Sequence, residues 1–63
     1  MRLNRVKVKT LLAQKDMRQK DIIEISGLTR STISAVFNGK SCAKETAEKI
    51  ADSFGVNLEQ ILE

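Results

Sequence analysis

Histidine, tyrosine, tryptophan and proline are absent from the sequence, and cysteine occurs once, as Cys42. A single cysteine cannot form an internal disulfide, and without histidine it has no partner with which to share a metal site. The same absences leave no nucleophile–base pair, and no phosphate-binding loop is present. We therefore predict that the chain is not an enzyme and that it holds no metal and no cofactor. We interpret Cys42 as a small hydrophobic residue rather than a redox switch.

Long apolar segments are absent as well. No apolar run approaches the roughly 18 residues of a membrane-spanning helix, and no signal-peptide core follows the N-terminus. We therefore expect no membrane partner and a reducing compartment, the cytoplasm. Aromatic residues are limited to two phenylalanines, and charged residues interrupt the apolar ones throughout. This pattern predicts an all-α fold.

The length of the chain, 63 residues, predicts one domain that spans residues 1–63. No linker or low-complexity segment divides it. A domain of this size buries only about 60% of the surface that its unfolded chain exposes, so its stability is marginal unless it oligomerises.

The charges are distributed unevenly along the chain. Residues 1–20 contain seven Lys and Arg and one Asp, a net +6, whereas residues 41–63 contain two Lys and five Asp and Glu, a net −3. A basic first third and an acidic last third indicate one face for a polyanion and another for a different contact. The alternative is that these charged residues only form the solvated faces of helices and have no partner.

Apolar residues recur at three- and four-residue spacing and predict five helices. The first four cover about residues 4–15, 19–26, 30–38 and 44–54. The fifth is about six residues long and begins at Asn57, which forms a capping-box pattern with Gln60.

The first helix has two different faces. Its predicted inward residues are Leu3, Val8, Leu11 and Leu12. On the opposite face Arg5 and Lys9 lie one turn apart, so they are placed to contact adjacent phosphates. The fourth helix has a single apolar stripe, made of Ala47, Ile50, Ala51 and Phe54.

Residues 19–38 have the pattern of a helix-turn-helix. Gly27 breaks the second helix, Thr29 is suited to cap the third, and Gly39 is suited to stop it. The second helix lacks a good cap because Arg18 stands where Ser or Thr is preferred, although Asp21 suits its dipole. The third helix buries Ile33, Val36 and Phe37 and leaves outward Arg30, Ser31, Ser34, Ala35 and Asn38. A helix with such a small, hydrogen-bonding outer face on a basic body is suited to enter the DNA major groove.

These residues together resemble one family. The matching features are Gln19 at the start of the second helix, Gly27 in the turn, residues 29–39 (Thr-Arg-Ser-Thr-Ile-Ser-Ala-Val-Phe-Asn-Gly), Ile50-Ala51 and Phe54-Gly55-Val56. In this register, over about residues 8–62, the chain resembles the lambda-repressor-like, Cro/repressor-type (XRE) helix-turn-helix family. It departs from the family pattern at three positions. Leu12 replaces a common arginine, Arg18 replaces the usual Ser or Thr cap, and Ile23 replaces the usual alanine.

The resemblance implies a compact five-helix DNA-binding domain with the helix-turn-helix at helices 2 and 3. Its third helix, about residues 30–38, would read bases in the major groove through Arg30, Ser31, Ser34 and Ala35. Arg30 is the best candidate for sequence readout, because a guanidinium can hold O6 and N7 of guanine together. Phosphate contacts are implied for Arg5, Lys9, Arg18, Gln19, Thr32, Asn38, Lys40 and Ser41.

The function that follows is sequence-specific binding of double-stranded DNA as a small bacterial or phage transcriptional regulator, a repressor or Cro-like. Such proteins usually dimerise so that two recognition helices enter grooves about 34 Å apart. The predicted interface for a homodimer is formed by Leu58, Ile61 and Leu62. No small-molecule ligand is evident.

Three alternatives remain open at this stage. One is a helical protein-interaction module, and another is an antitoxin-type autoregulator. The third is that these residues are the DNA-binding part of a longer repressor.

Overall fold

The computed structural model describes residues 1–63 and contains four α-helices. They are α1 (Arg5–Gln14), α2 (Gln19–Ser26), α3 (Arg30–Phe37) and α4 (Lys44–Phe54), followed by a 3-10 turn over Leu58–Gln60. The all-α prediction is therefore confirmed, and the predicted bounds of α2 and α4 agree with the structure. None of the four helices has the length and apolar character needed to span a membrane.

The prediction of a fifth helix is wrong. Only Leu58–Gln60 has helical geometry, and the Asn57 side chain forms no capping hydrogen bond. The chain then leaves the turn and lies beside the N-terminal segment, where the Asn4 N–H donates to the Ile61 carbonyl over 2.7 Å. A six-residue helix is too short to be stable by itself, so these long-range hydrogen bonds determine the local backbone.

The two ends of the chain are held together by further backbone contacts. Leu3 and Leu62 form an isolated antiparallel bridge, and the Glu63 N–H donates to the Arg2 carbonyl over 3.2 Å. Ile61 is completely buried. The prediction that Ile61 faces a second copy is therefore wrong, because its side chain belongs to the core of its own chain.

The core contains only apolar side chains. Its eleven buried residues are Leu3, Val8, Ile22, Ile33, Val36, Phe37, Ala47, Ile50, Ala51, Phe54 and Ile61. α2 packs against both α3 and α4, and the rings of Phe37 and Phe54 stack with centroids 6.3 Å apart. The predicted stripe of α4 is buried in full, whereas Leu11 and Leu12 of α1 are only half-buried.

The two helices of the helix-turn-helix begin with different caps. The Thr29 hydroxyl accepts from the Thr32 N–H over 3.2 Å, as predicted for the start of α3. At the start of α2 the Asp21 carboxylate accepts from the Arg18 N–H over 2.9 Å. In a capping box the N-cap side chain and the third helical residue each bond to the backbone of the other. Here only Asp21 does so, because the side chain of the N-cap residue Arg18 forms no capping hydrogen bond.

Glycines end α2 and α3 where they were predicted to do so. Gly27 has a φ of 75° and Gly39 a φ of 96°. This left-handed conformation costs a residue with a Cβ roughly 1–2 kcal/mol. After α3 the Lys40 N–H returns to the Ala35 carbonyl over 3.1 Å, which satisfies a carbonyl at the helix end. The turn therefore directs the following loop away from the axis of α3.

Candidate nucleic-acid interface

The orientation of α3 is set by its buried side. Ile33, Val36 and Phe37 are all buried, so the helix cannot rotate about its axis without losing core contacts. Arg30 and Ser31 are exposed at its first turn. The structure thus presents the N-terminal part of α3 to the solvent, as the sequence predicts for a helix that reads DNA.

The other predicted base-contacting residues are less accessible. Ser34 and Ala35 are half-buried, whereas Asn38, directly after the helix, is exposed. Both half-buried side chains are small, so DNA can contact them only if the wall of its major groove approaches the backbone of α3 closely. Of the four predicted base-contacting residues, Arg30 and Ser31 are therefore the exposed ones.

Thr32 has a defined hydrogen-bonding role at the start of α3. Its hydroxyl oxygen accepts from the Thr29 hydroxyl over 2.9 Å, and the residue is half-buried. Because a hydroxyl has one hydrogen to donate in addition to its acceptor sites, that of Thr32 is available to a neighbouring oxygen. The predicted phosphate contact is compatible with this geometry.

Arg5 of α1 lies directly over the C-terminal end of α3. A Cβ added to Gly39 would be only 3.2 Å from Cδ of Arg5. The arrangement places a cation beside the end of the helix where a positive charge interacts favourably with the backbone dipole. It also brings Arg5 close to Asn38 and Lys40, two other predicted phosphate contacts. No local sequence signal indicates this contact, because the two residues are far apart in the chain.

The loop after α3 is held by the first residue of the chain. The ammonium group of Met1 donates to the Cys42 carbonyl over 2.9 Å and to the Ser41 hydroxyl over 3.4 Å, and the Cys42 N–H donates to the Met1 carbonyl over 2.7 Å. Ser41, a predicted phosphate contact, therefore lies beside a positive charge. Sequence reasoning missed the contribution of Met1 because it depends on a contact between distant segments.

The N-terminus of α2 carries two predicted phosphate contacts, Arg18 and Gln19, and both are exposed. The Arg18 backbone N–H is already bonded to Asp21. The first N–H groups of a helix have no intrahelical acceptor, so the backbone N–H groups of Gln19 and Lys20 remain available at this end of α2, together with the side chains of Arg18 and Gln19.

The cations around α3 have no acidic partner within the chain. The structure contains one ion pair, an exposed one between Lys44 and Glu48 at 3.8 Å. The predicted DNA-contacting cations are Arg5, Lys9, Arg18, Arg30 and Lys40, all of them exposed. A surface of unpaired cations next to a helix terminus is suited to phosphate groups.

One family of known proteins matches the chain. The Cro/C1-type HTH DNA-binding domain covers residues 7–63, which includes most of α1, the whole helix-turn-helix and the C-terminal turn. No curated protein and no solved structure matches. The resemblance inferred from the residues is confirmed by the family match.

Proposed function

We propose that this chain, which belongs to the Cro/C1-type helix-turn-helix DNA-binding family, recognises particular double-stranded DNA sequences as a small transcriptional regulator, a repressor or Cro-like. The family consists of DNA-binding proteins and not of enzymes. Residues 1–63 act as one DNA-binding domain in this proposal. Its site of action is the cytoplasm of a bacterial cell, on a chromosomal or phage operator.

One observation carries the proposal: α3 presents an unpaired Arg30 while its opposite side is anchored in the core. In the major groove the Arg30 guanidinium holds O6 and N7 of a guanine, a contact worth about 1–3 kcal/mol of discrimination. Ser31 and Ser34 add weaker hydrogen bonds, and the Ala35 methyl packs against a thymine methyl group. These four residues determine the sequence that is preferred.

Phosphate contacts surround the recognition helix and supply affinity without specificity. The residues we assign to them are Arg5, Lys9, Arg18, Gln19, Thr32, Asn38, Lys40 and Ser41. Each cation that neutralises a phosphate contributes about −0.9 to the slope of log K against log salt. Binding is therefore expected to weaken steeply as the salt concentration rises.

The DNA-binding form is a homodimer in this proposal. Two recognition helices then occupy successive major grooves about 34 Å apart and read a two-fold symmetric operator. Leu58 and Leu62 are half-buried in the single chain, so part of each remains available to a second copy. The alternative of a protein-interaction module requires an apolar outer face on α3, and the exposed residues of α3 are polar.

The decisive experiment is selection of bound duplexes from a randomised library, repeated at two salt concentrations. We expect a consensus with two half-sites separated by about one helical turn. The Arg30→Ala variant should select the same spacing but lose the preference for one guanine in each half-site. Binding without any enriched sequence would contradict the proposal, because the basic surface would then be a non-specific polyanion site.

A further inference from the structure

Residues 1–4, which we name the strap, lie along the loop that follows α3. The ammonium group of Met1 donates to the Cys42 carbonyl over 2.9 Å, and the Cys42 N–H donates to the Met1 carbonyl over 2.7 Å. At the start of the loop, the side chain of Arg5, the residue directly after the strap, lies over Gly39. The strap and the first residue of α1 therefore contact both ends of this loop.

The opposite edge of the strap is paired with the C-terminal segment. The Glu63 N–H donates to the Arg2 carbonyl over 3.2 Å, and Leu3 forms an antiparallel bridge with Leu62. Leu3 is only 1% exposed, so its side chain fixes the strap to the core. The strap thus lies between the C-terminal segment and the loop after α3, and it is hydrogen-bonded to both.

The loop after α3 has few hydrogen bonds apart from those to the strap. The Lys40 N–H donates to the Ala35 carbonyl at the end of α3. Every hydrogen bond that Ser41 and Cys42 form has Met1 as its partner. Lys40 and Ser41 are both exposed, and both are phosphate contacts in the proposed function. The strap is therefore the element that orders the second half of this loop.

We propose that the strap positions the phosphate contacts of the loop after α3, and that the C-terminal segment controls DNA affinity by holding the strap in place. This inference deepens the proposed function and rests on it. A loop that is already ordered loses less conformational entropy when it binds a phosphate. The strap thus raises DNA affinity without contacting a base, and loosening residues 61–63 on its far edge lowers that affinity.

The alternative is that the strap only stabilises the fold. A loss of stability lowers the folded fraction of the protein and leaves the contacts of each folded molecule with DNA unchanged, so the salt slope of binding stays the same. Release of the loop removes the contact of Lys40 with its phosphate and reduces the magnitude of the slope itself. The salt dependence of binding therefore separates the two roles.

The first test needs no DNA and compares Glu63→Pro with Glu63→Ala. Both substitutions remove the side-chain carboxylate, but only proline removes the N–H that donates to the Arg2 carbonyl. We expect the Cys42 amide hydrogen to exchange at least about threefold faster in Glu63→Pro, measured by NMR, because the strap opens locally. The Ile33 amide of α3 should exchange equally in both variants. Equal exchange of Cys42 in the two variants would overturn the proposal.

The second test compares Cys42→Pro with Cys42→Ala on the duplex that the wild type selects. Cys42→Pro removes the N–H that donates to the Met1 carbonyl, and Cys42→Ala retains it. Cys42→Pro should bind at least about tenfold more weakly, since the loop is no longer ordered, and its salt slope should be smaller in magnitude by about 0.9, the share of Lys40. The guanine preference assigned to Arg30 should be the same in both variants. Weaker binding with an unchanged slope would reduce the strap to a structural role.

The double variant tests whether the strap connects the two segments. Glu63→Pro alone should weaken DNA binding about threefold relative to Glu63→Ala, and it should cause no further loss once Cys42→Pro has released the loop. If the two effects multiply, the segments act independently and the proposed connection is wrong.

The outcomes distinguish this inference from the proposed function. If Cys42 exchanges faster in Glu63→Pro but the wild type selects no DNA sequence, the connection within the fold stands and the proposed function fails. If the wild type selects a sequence and Cys42→Pro binds it with the affinity and salt slope of Cys42→Ala, the proposed function stands and the positioning role of the strap fails.

Discussion

The two flanks of α1 carry the same kind of charge but have different surroundings. Arg5 and Lys9 lie on the flank where Arg5 crosses the end of α3, beside the loop that contains Lys40. Lys7 and Lys15 lie on the opposite flank, where they line a groove that is open to solvent and also contains Val6, Leu11 and Val56. The comparison shows that a basic segment need not have a single partner. The chemistry of the neighbouring element determines what each pair of cations is suited to contact.

The largest expected effect comes from Val8, which is buried between the two flanks. Val8→Asp should lower the free energy of unfolding by about 3–5 kcal/mol, because it buries a charge with no partner. The total stability expected for a chain of this length is roughly 3–9 kcal/mol. A loss of this size should unfold much of the protein, so the two flanks of α1 should be lost together. Urea unfolding followed by circular dichroism measures the change.

Val6→Asp is the matched control for that experiment. The same substitution two residues away, at an exposed position, should change the free energy of unfolding by less than about 0.5 kcal/mol. Similar losses in the two variants would contradict the assignment of Val8 to the inside and Val6 to the outside of α1.

A second prediction compares Arg30 with Lys15. Arg30→Ala should reduce discrimination at one base pair of each half-site by about 1–3 kcal/mol, measured by titration of operator duplexes with single substitutions. Lys15→Ala should leave discrimination unchanged, since Lys15 lines the groove on the other flank of α1. Equal sequence preference in Arg30→Ala and the wild type would exclude Arg30 from base readout.

A third prediction concerns Gly39 and separates backbone strain from side-chain contact. Gly39→Ala and Gly55→Ala should both lower the free energy of unfolding by about 1 kcal/mol, because both glycines have positive φ. Only at Gly39 does a new Cβ meet another side chain, that of Arg5. Gly39→Ala should therefore also weaken DNA binding, whereas Gly55→Ala should not.

The Arg5→Ala background checks the cause of that effect. Once the arginine is removed, Gly39→Ala should produce no further loss of DNA affinity beyond its effect on folding. An undiminished loss in the double variant would show that the Gly39 backbone, and not its contact with Arg5, is responsible.

The smallest expected effect tests the two flanks directly. Arg5→Gln and Lys9→Gln should each reduce the magnitude of the salt slope of DNA binding by about 0.9, measured by fluorescence anisotropy over a range of salt concentrations. Lys7→Gln and Lys15→Gln should not change the slope. Equal reductions on the two flanks would mean that DNA contacts the whole surface of α1.

Local sequence signals predicted the helix-turn-helix well. The start of α3 was predicted from the Thr29 cap, and its end from Gly39, because capping hydrogen bonds and left-handed glycines involve only residues close in the chain. The spacing of apolar residues identified the buried side of α3 and the whole stripe of α4. These features also carry the family resemblance that the match over residues 7–63 confirms.

The C-terminal turn shows why the remaining structure could not be predicted in this way. Its apolar and capping pattern indicates a helix, but Asn4 and Leu3 pair with its backbone and allow only the short turn at Leu58–Gln60. The same pairing buries Ile61, which the helical pattern had placed on an outer face. No periodicity within the segment contains information about a partner almost sixty residues away.

The sequence by itself thus determined the four α-helices, the buried sides of α3 and α4 and the exposure of Arg30 and Ser31 on α3, because these depend on period, caps and glycines. The tertiary structure alone decided that Arg5 lies over Gly39, that Met1 holds the loop at Ser41 and Cys42, and that α1 forms a groove with the C-terminal turn. The physical reason is that these contacts join segments distant in the chain, and their positions depend on how the complete core packs.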